Sequence, residues 1–258
     1  MLLSVALFSF NRFLFNRFLT KEIQKKRPPD VVLSEGEIRY IAEKTTVRIF
    51  SSLGGDSGGS GVIIYRQEGN HYVITNRHVV EGENYPYKIA VYDGKVYSAE
   101  IVKKTTNSSG KNYYDLALLK FASQDKYPTI KFSENPPREN DFVFASGFPF
   151  QQNLKQSIQI SYTKGKLAKI LDKPLMGGYQ LGYTNLIHTG MSGGAILNNK
   201  GELIGINGLG KFPPLGNPYV YADGKQVDEK EIKNFSQLSW GIPVTTIRQF
   251  LNSNQSKN

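Results

Sequence analysis

The sequence contains no cysteine, three histidines and one tryptophan among its 258 residues. The absence of thiolates excludes disulfide bonds, a cysteine nucleophile and any cysteine-ligated zinc or iron–sulfur centre. No two histidines stand at metal-ligand spacing, so we expect neither a metal nor another cofactor. Apolar residues make up 39% of the chain, which is enough to form a core and argues against a disordered protein.

Basic residues outnumber acidic ones, with 32 Lys and Arg against 22 Asp and Glu, and the net charge is +10. Such an excess suits an anionic surface and is equally typical of a soluble basic protein, and we do not expect a nucleic-acid partner. Four lysines lie close together in the sequence, and we interpret them as a solvated basic face rather than an anion site. They are Lys164, Lys166, Lys169 and Lys173.

Residues 1–29 differ in composition from the rest of the chain. The apolar run Leu2–Phe10 is too short to span a bilayer, and polar and basic residues interrupt the segment after it. On a helix, Phe8, Phe15 and Leu19 share one face ahead of a basic run, which is typical of an interfacial amphipathic helix. The segment predicts a membrane-surface anchor or an export leader, and hence an extracytoplasmic or membrane-associated protein. The alternative is a leader without function.

Residues 30–253 have the pattern of a globular domain, followed by a tail over 254–258. Ser34 and Glu37 have the spacing of a capping box, which predicts a short helix over Ile38–Glu43. A second helix is predicted to close the domain over Thr246–Leu251, with Thr246 and Gln249 as its capping residues.

Between these helices, short segments rich in Val, Ile and Tyr are separated by turn residues. Their length and spacing favour an all-β sandwich or a pair of barrels over a βαβ fold. The predicted strands are Val47–Ser51, Gly61–Arg66, Tyr72–Thr75, Ile89–Tyr92, Val96–Val102, Leu116–Phe121, Phe142–Ser146, Ser157–Lys164, Gly178–Tyr183, Gly194–Leu197, Leu203–Asn207 and Leu238–Pro243.

Two segments contain residues suited to nucleophilic catalysis. His78 follows the apolar segment Val73–Thr75, and a strand end holds a side chain in a fixed position. Ser192 lies in Gly190-Met191-Ser192-Gly193-Gly194, where small neighbours admit a reacting carbonyl and free backbone amides can stabilise an oxyanion. A serine hydroxyl needs a base within hydrogen-bond reach, and that base needs a carboxylate to orient it.

The order of these residues along the chain limits the class of hydrolase. The segment around Ser192 matches the nucleophile elbow G-x-S-x-G, but that fold needs a histidine after the serine, and the last histidine is His188. An order with aspartate first would have to use Asp30 or Asp56, which lie in turn-like or glycine-rich surroundings. The strand pattern also disagrees with an α/β fold. The order that remains is His, Asp, Ser.

The carboxylate is best supplied by Asp115. It stands in Tyr113-Tyr114-Asp115-Leu116-Ala117-Leu118-Leu119, with apolar residues on both sides. A carboxylate buried there needs a partner, and the N–H of a histidine ring would serve. Asp141, which precedes Phe142, is the second candidate.

Three segments of the chain carry a resemblance to a known family. They are Thr75-Asn76-Arg77-His78-Val79-Val80, Asp115-Leu116-Ala117-Leu118-Leu119-Lys120 and Gly190-Met191-Ser192-Gly193-Gly194. They resemble the motifs of trypsin-like serine proteases, above all those of the bacterial HtrA-like branch. The resemblance covers roughly residues 35–253. It implies two six-stranded antiparallel β-barrels, with a boundary near residues 125–140 and the active site between them. It further implies that His78 is the general base, that Asp115 orients it and that Ser192 is the nucleophile. The backbone amides of Gly190 and Ser192 would form the oxyanion hole.

The chain also departs from the family pattern before the nucleophile. Digestive relatives have an aspartate there that pairs with a newly cut N-terminus, whereas this chain has Met191, so activation by such a cleavage is not expected. Leu186 stands six residues before Ser192, where trypsin-like pockets carry a specificity aspartate. By this resemblance the pocket is apolar at its base and accepts an uncharged substrate side chain.

The resemblance assigns a role to the segment that follows the predicted strand Leu203–Asn207. Gly208, Leu209 and Gly210 would form the strand edge that pairs with the substrate backbone. The longer stretch Lys211–Gln237 is interpreted as a flap. HtrA-like relatives usually continue into a peptide-binding PDZ domain, and this sequence is expected to carry none.

The sequence therefore predicts a serine endopeptidase that acts on protein or peptide substrates without a cofactor. Two alternatives belong to other classes. One is a catalytically inactive relative that binds peptides along Gly208–Gly210. The other is a membrane-surface protein that acts through residues 1–29.

Overall fold

A computed structural model describes residues 31–51, 58–81, 86–105, 113–150, 159–213 and 217–253. The predicted helix within residues 1–29 and the tail over 254–258 lie outside these ranges. The chain divides into the units Met1–Val32 and Leu33–Asn258, and the second contains all of the described helices and strands. None of the described helices is long and apolar enough to cross a bilayer.

The first helix, α1 (Glu35–Thr45), begins with the predicted capping box. The Ser34 hydroxyl accepts from the Glu37 amide at 3.3 Å, and the Glu37 carboxylate accepts from the Ser34 amide at 2.8 Å. Two donors that the first helical turn leaves unpaired are thereby satisfied. The helix starts three residues before the predicted Ile38, directly after its cap.

The first barrel closes through six antiparallel strands in the order β1-β2-β3-β6-β5-β4. Its core is formed by inward-facing aliphatic and aromatic side chains of all six strands. The strands are β1 (Thr46–Ser51), β2 (Gly58–Gln67), β3 (Asn70–Thr75), β4 (Tyr87–Ala90), β5 (Val96–Lys104) and β6 (Ala117–Ala122).

The second barrel closes in the order β10-β11-β12-β9-β8-β7, again antiparallel throughout. Residues 123–141 connect the two barrels. The strands are β7 (Phe142–Gly147), β8 (Ser161–Leu175), β9 (Tyr179–Tyr183), β10 (Ala195–Leu197), β11 (Leu203–Leu209) and β12 (Ser239–Pro243). The predicted all-β class with two six-stranded barrels is confirmed.

The predicted bounds of one strand were wrong. The strand predicted over Ser157–Lys164 begins at Ser161 and extends to Leu175, with most of its side chains partly or fully exposed. Its lysine-rich sequence therefore lacks the apolar alternation of a half-buried strand. The basic face predicted there is paired with acidic side chains, since Lys164, Lys169 and Lys173 form salt bridges at 2.9, 3.1 and 2.5 Å.

The helices of the C-terminal part also differ from prediction. Helix α2 (Glu229–Ser236) lies inside the stretch interpreted as a flap, where no helix was expected. Buried Phe235 packs against Trp240, and residues 174–176 pair with residues 220–222, so the described part of the stretch lies against the second barrel. Helix α3 (Val244–Asn252) starts after Pro243, so Thr246 is a buried residue within the helix and not its cap.

Candidate active site

His78 and Asp115 meet at two points in the first barrel. His78 lies in a single 3-10 turn, Arg77–Val80, directly after β3, and Asp115 lies just before β6, which pairs with β3. Nδ1 of His78 lies 2.6 Å from Oδ2 of Asp115, and the His78 backbone amide donates to Oδ1 at 2.9 Å. The carboxylate fixes both the backbone and the ring of His78. With Nδ1–H bonded to Asp115, Nε2 is the nitrogen left to accept a proton.

The carboxylate of Asp115 is buried and well supplied with donors. Its side chain is 6% exposed, against 41% for His78. It accepts a further hydrogen bond from the hydroxyl of Tyr179, in the second barrel. Asn76 donates to the backbone carbonyl of Asp115 at 3.0 Å and ties the two segments together. A buried carboxylate with this many donors stays ionised.

Opposing effects set the pKa values of the pair. Burial favours the neutral form of Asp115, but the hydrogen bond and charge of His78, with the Tyr179 hydrogen bond, hold the pKa of the carboxyl below its ordinary value. Burial also opposes protonation of His78, but the hydrogen bond and charge of Asp115 raise the pKa of the imidazole above its ordinary value. Of the nearby charges, that of Glu81 adds to this rise and that of Arg77 opposes it. The imidazole is therefore a readier proton acceptor than a free histidine.

The hydroxyl of Ser192 bonds a backbone carbonyl and not His78. It donates to the carbonyl of Gly208 at 3.0 Å, and no hydrogen bond joins it to His78 within the described ranges. Gly208 lies where the pairing of β11 with β12 shifts register, so it stands unpaired in that ladder. The bulge is what frees this glycine to accept the serine hydroxyl.

The backbone amides of Gly190 and Ser192 are the predicted oxyanion donors. Neither the Gly190 nor the Ser192 amide donates to another group in the part of the chain that is described. The Thr189 carbonyl accepts from the Phe150 amide at 2.8 Å, so in a trans peptide the Gly190 N–H points away from Phe150. Gly190 has φ of +94°, and a Cβ there would lie 2.6 Å from the Phe148 carbonyl, so the turn requires glycine.

The predicted strand edge runs beside the segment that carries Leu186. Leu186 is 49% exposed, while Ile187 is buried in the core of the second barrel. A Cβ on Gly210 would lie 3.3 Å from the Ile187 carbonyl, so the two segments approach closely. Lys211 continues the contact by donating to the Thr184 carbonyl at 2.6 Å.

The remaining candidates lie in other settings. Asp141 accepts from the Arg138 amide at 2.8 Å and is exposed in the loop before β7, whereas Asp30 and Asp56 fall outside the described ranges. His71 is buried in the first barrel and His188 is exposed. No group of three or more His, Asp or Glu able to hold a metal ion occurs among the described residues.

Sequence reasoning missed two side chains that support this site. Tyr179 contacts Asp115 from the other barrel, and Ser60 donates to the Gly190 carbonyl at 2.8 Å. Ser60 lies in the glycine-rich segment Gly59-Ser60-Gly61, and nothing in that segment indicates where the Ser60 hydroxyl points. Tyr179 is one of 15 tyrosines and belongs to no motif.

Comparison with known proteins gives concordant matches. The family model of the trypsin-like peptidase domain matches residues 59–206. Serine protease Do-like HtrA of Bacillus subtilis (strain 168) is 30% identical over 188 residues, 67% of this chain and 39% of that protein. Periplasmic serine endoprotease DegP of Escherichia coli (strain K12) is 34% identical over 185 residues, 69% of this chain and 35% of that protein.

A solved structure has the same fold. The serine endoprotease from Yersinia pestis superposes with a TM-score of 0.61 at 24% identity, over 86% of this chain and 66% of that chain. Because its family model matches more than half of the sequence, the chain belongs to the family of trypsin-like peptidase domains. It spans somewhat over a third of the length of the HtrA and DegP relatives.

Proposed function

We propose that the chain is a serine endopeptidase in which Ser192 is the nucleophile, His78 the general base and Asp115 the residue that orients the base. The observation that carries the proposal is the two-point contact between Asp115 and His78, at 2.6 and 2.9 Å. It leaves Nε2 as the basic nitrogen. The HtrA and DegP relatives are named serine proteases, which supports the same activity.

Catalysis follows from the roles of these groups. Ser192 Oγ attacks the scissile carbonyl carbon while His78 Nε2 takes its proton, and the amides of Gly190 and Ser192 bind the developing oxyanion. The C–N bond then breaks as the imidazolium returns its proton to the leaving amine. Water, deprotonated by His78, hydrolyses the acyl-enzyme. Since the resting hydroxyl points at Gly208, the Ser192 side chain rotates before the attack.

Labelling with a fluorophosphonate tests the nucleophile without a known substrate, because the probe reacts with an activated serine. We expect the full chain to be labelled and Ser192→Ala to be unlabelled with an unchanged fold. Ser133→Ala is the matched control, because Ser133 is a buried serine whose hydroxyl bonds a backbone carbonyl in another part of the fold. Labelling retained in Ser192→Ala would show that Ser192 is not the nucleophile.

A catalytically inactive, peptide-binding protein is the second candidate, and one observation favours it. The hydroxyl of Ser192 donates to Gly208 and not to His78. If folded wild-type protein resists the fluorophosphonate but binds an immobilised peptide library, this second function replaces the first. Loss of that binding on changing Gly210 to Pro would locate the peptide on the predicted strand edge.

The finer assignments concern the substrate and the location. Leu186 supports a preference for an uncharged side chain at the residue before the cleaved bond, because an aliphatic group offers no counter-charge to a basic one. Gly208–Gly210 supports binding of an extended peptide through backbone hydrogen bonds. The DegP relatives are periplasmic by name, which supports an extracytoplasmic location.

A further inference from the structure

Tyr179 connects the second barrel to the carboxylate that orients His78. It is the first residue of β9, is 5% exposed, and donates through its hydroxyl to Oδ2 of Asp115. That same oxygen accepts from His78 Nδ1 at 2.6 Å, while Oδ1 accepts from the His78 backbone amide. The Tyr179 hydroxyl, from the second barrel, is therefore the third hydrogen-bond donor to the Asp115 carboxylate.

The backbone leaves space for the Tyr179 ring on two sides. A Cβ on Gly208 would lie 2.0 Å from Cε1 of Tyr179, and a Cβ on Gly177 would lie 2.8 Å from Cε2. Separations this short exclude any side chain at either position while the ring stays in place. Two glycines thus confine the ring along both edges, and the position of its hydroxyl is set by packing.

The segment before Tyr179 approaches Asp115 as well. The Asp115 amide donates to the Gly177 carbonyl at 2.8 Å, and Tyr114 forms an isolated bridge with Gly177. Gly177 and Gly178 have φ of +86° and +88°, which the tight turn between β8 and β9 requires. The turn and the tyrosine together hold both the backbone and the side chain of Asp115 from the second barrel.

We propose that Tyr179 is a positioning residue of the catalytic triad, which holds the Asp115 carboxylate in the orientation that bonds both the backbone and the ring of His78. The inference rests on the proposed function and extends it. Tyr179 also packs against Gly208, whose carbonyl accepts from the resting Ser192 hydroxyl. The ring is therefore next to the groups that hold both Asp115 and Ser192. It touches Asp115 and not the reacting atoms.

The test compares Tyr179→Phe with Tyr219→Phe. Phenylalanine keeps the ring and fills the same space, so only the hydroxyl is lost. Tyr219 is the matched control, because it is buried beside Trp240 of β12 and its hydroxyl has no partner among the described residues. The readout is the second-order rate constant of fluorophosphonate labelling as a function of pH, which follows deprotonation of His78.

We expect Tyr179→Phe to lower the maximal rate constant roughly tenfold, the effect of losing one hydrogen bond to a charged group. Without the tyrosine donor, Asp115 is held less well in the orientation that bonds the imidazole. Since that bond raises the pKa of His78, the acid limb of the profile moves to lower pH. Glu81 and Arg77, the other charges that act on His78, are unchanged. Tyr219→Phe should match wild type in both respects. An unmoved limb in Tyr179→Phe, whatever its rate, would overturn the proposal, because a merely structural loss changes rate alone.

A second measurement keeps the inference separate from the activity. In Ser192→Ala protein, the low-field proton NMR signal of His78 Nδ1–H reports its bond to Asp115, with no need for turnover. We expect its titration midpoint to fall when Tyr179→Phe is added. A lowered midpoint in a protein that no fluorophosphonate labels would support the positioning role while the proposed function fails. An unchanged midpoint in a labelled protein would reject the positioning role and leave the triad standing.

Discussion

The hydroxyl of Ser60, in the first barrel, donates to the carbonyl of Gly190, in the second-barrel loop before Ser192, at 2.8 Å. The same hydroxyl accepts from the Phe148 amide at 2.8 Å, and the Ser60 amide donates to the Ser192 carbonyl at 2.8 Å. The Gly190–Met191 peptide is thus fixed from across the barrel interface. Since the preceding peptide is held by the Phe150 amide, the Gly190 N–H, the proposed oxyanion donor, has little freedom to turn.

Replacing Ser60 by Ala should impair both stability and reactivity. The change leaves the buried Gly190 carbonyl and Phe148 amide without their partner, which costs about 1–3 kcal/mol of unfolding free energy. Freedom of the loop should also slow labelling by a fluorophosphonate about tenfold, because the oxyanion donor is less well held. Urea unfolding and labelling rates measure the two effects.

The control for Ser60→Ala is Ser133→Ala, which removes another buried hydroxyl that bonds a backbone carbonyl, at 3.0 Å from Asn135. It should lose stability and keep the wild-type labelling rate. Equal labelling rates in the two variants would show that Ser60 supports the fold alone and not the oxyanion donor.

Asp115→Asn should abolish most of the activity. The amide oxygen of Asn accepts from the His78 backbone amide, so its NH₂ faces Nδ1 and donates to it. That stabilises the tautomer with the proton on Nε2, which no longer accepts the serine proton. Loss of such an orienting carboxylate lowers the rate about 10⁴-fold. Asp141→Asn is the matched control, because Asp141 was the other candidate and its carboxylate accepts from the Arg138 amide at 2.8 Å in the loop before β7. A larger loss in Asp141→Asn than in Asp115→Asn would contradict the assignment.

The residues of the proposed triad were accessible from sequence because each lies in a short segment with its own local pattern. His78 follows an apolar strand, Asp115 precedes one, and Ser192 lies among glycines. Their order along the chain then excluded two other hydrolase classes. The supporting residues have no such pattern. Tyr179 lies 64 positions from Asp115 and in the other barrel, so the two meet only where the two barrels pack against each other.

The elements that the sequence missed depend on tertiary contacts. Helix α2 is short and half of its residues are charged, and it is stabilised by Phe235 packing on Trp240 and by a salt bridge from Glu231 to Lys169 at 3.1 Å. An isolated helix of eight residues is unstable in water, so its sequence carries a weak signal. The far end of β8 is likewise fixed by its pairing with β9 and not by apolar alternation.

The buried side chain of His71 should make the free energy of unfolding depend on pH. It is 1% exposed, stacks on Phe121 with ring centroids 4.9 Å apart, and accepts from the Tyr127 amide at 3.3 Å through Nε2. Burial lowers the pKa of His71, as does the charge of Arg66, with Asp125 opposing. The unfolded chain therefore binds a proton near pH 6.5 that the folded chain resists. The stability that His71 contributes is complete above that pH and is lost as the pH falls toward the folded pKa.

The measurement is urea unfolding at pH 7.5 and 5.5 of wild type and His71→Gln, whose side-chain oxygen can still accept from the Tyr127 amide. We expect wild type to lose more unfolding free energy between these pH values, with a slope of at most about 1.4 kcal/mol per pH unit from one proton. The raised pKa of His78 acts in the opposite sense, since its contribution is complete at low pH and is lost as the pH rises. Equal losses in the two proteins would show that His71 is not the group responsible.

From Leu186 we predict a preference for an uncharged side chain at the substrate residue before the cleaved bond. Peptidyl diphenyl phosphonates that differ only at that residue test it, because they react with the same serine and read the pocket directly. Wild type should react faster with a Val or Leu probe than with a Lys probe, and Leu186→Asp should reverse the order by supplying a counter-charge. Leu186→Asn, of the same size and without charge, is the control that separates charge from shape. If Leu186→Asp keeps the wild-type order, the base of the pocket is formed by other residues and Leu186 lies at its rim, as its 49% exposure allows.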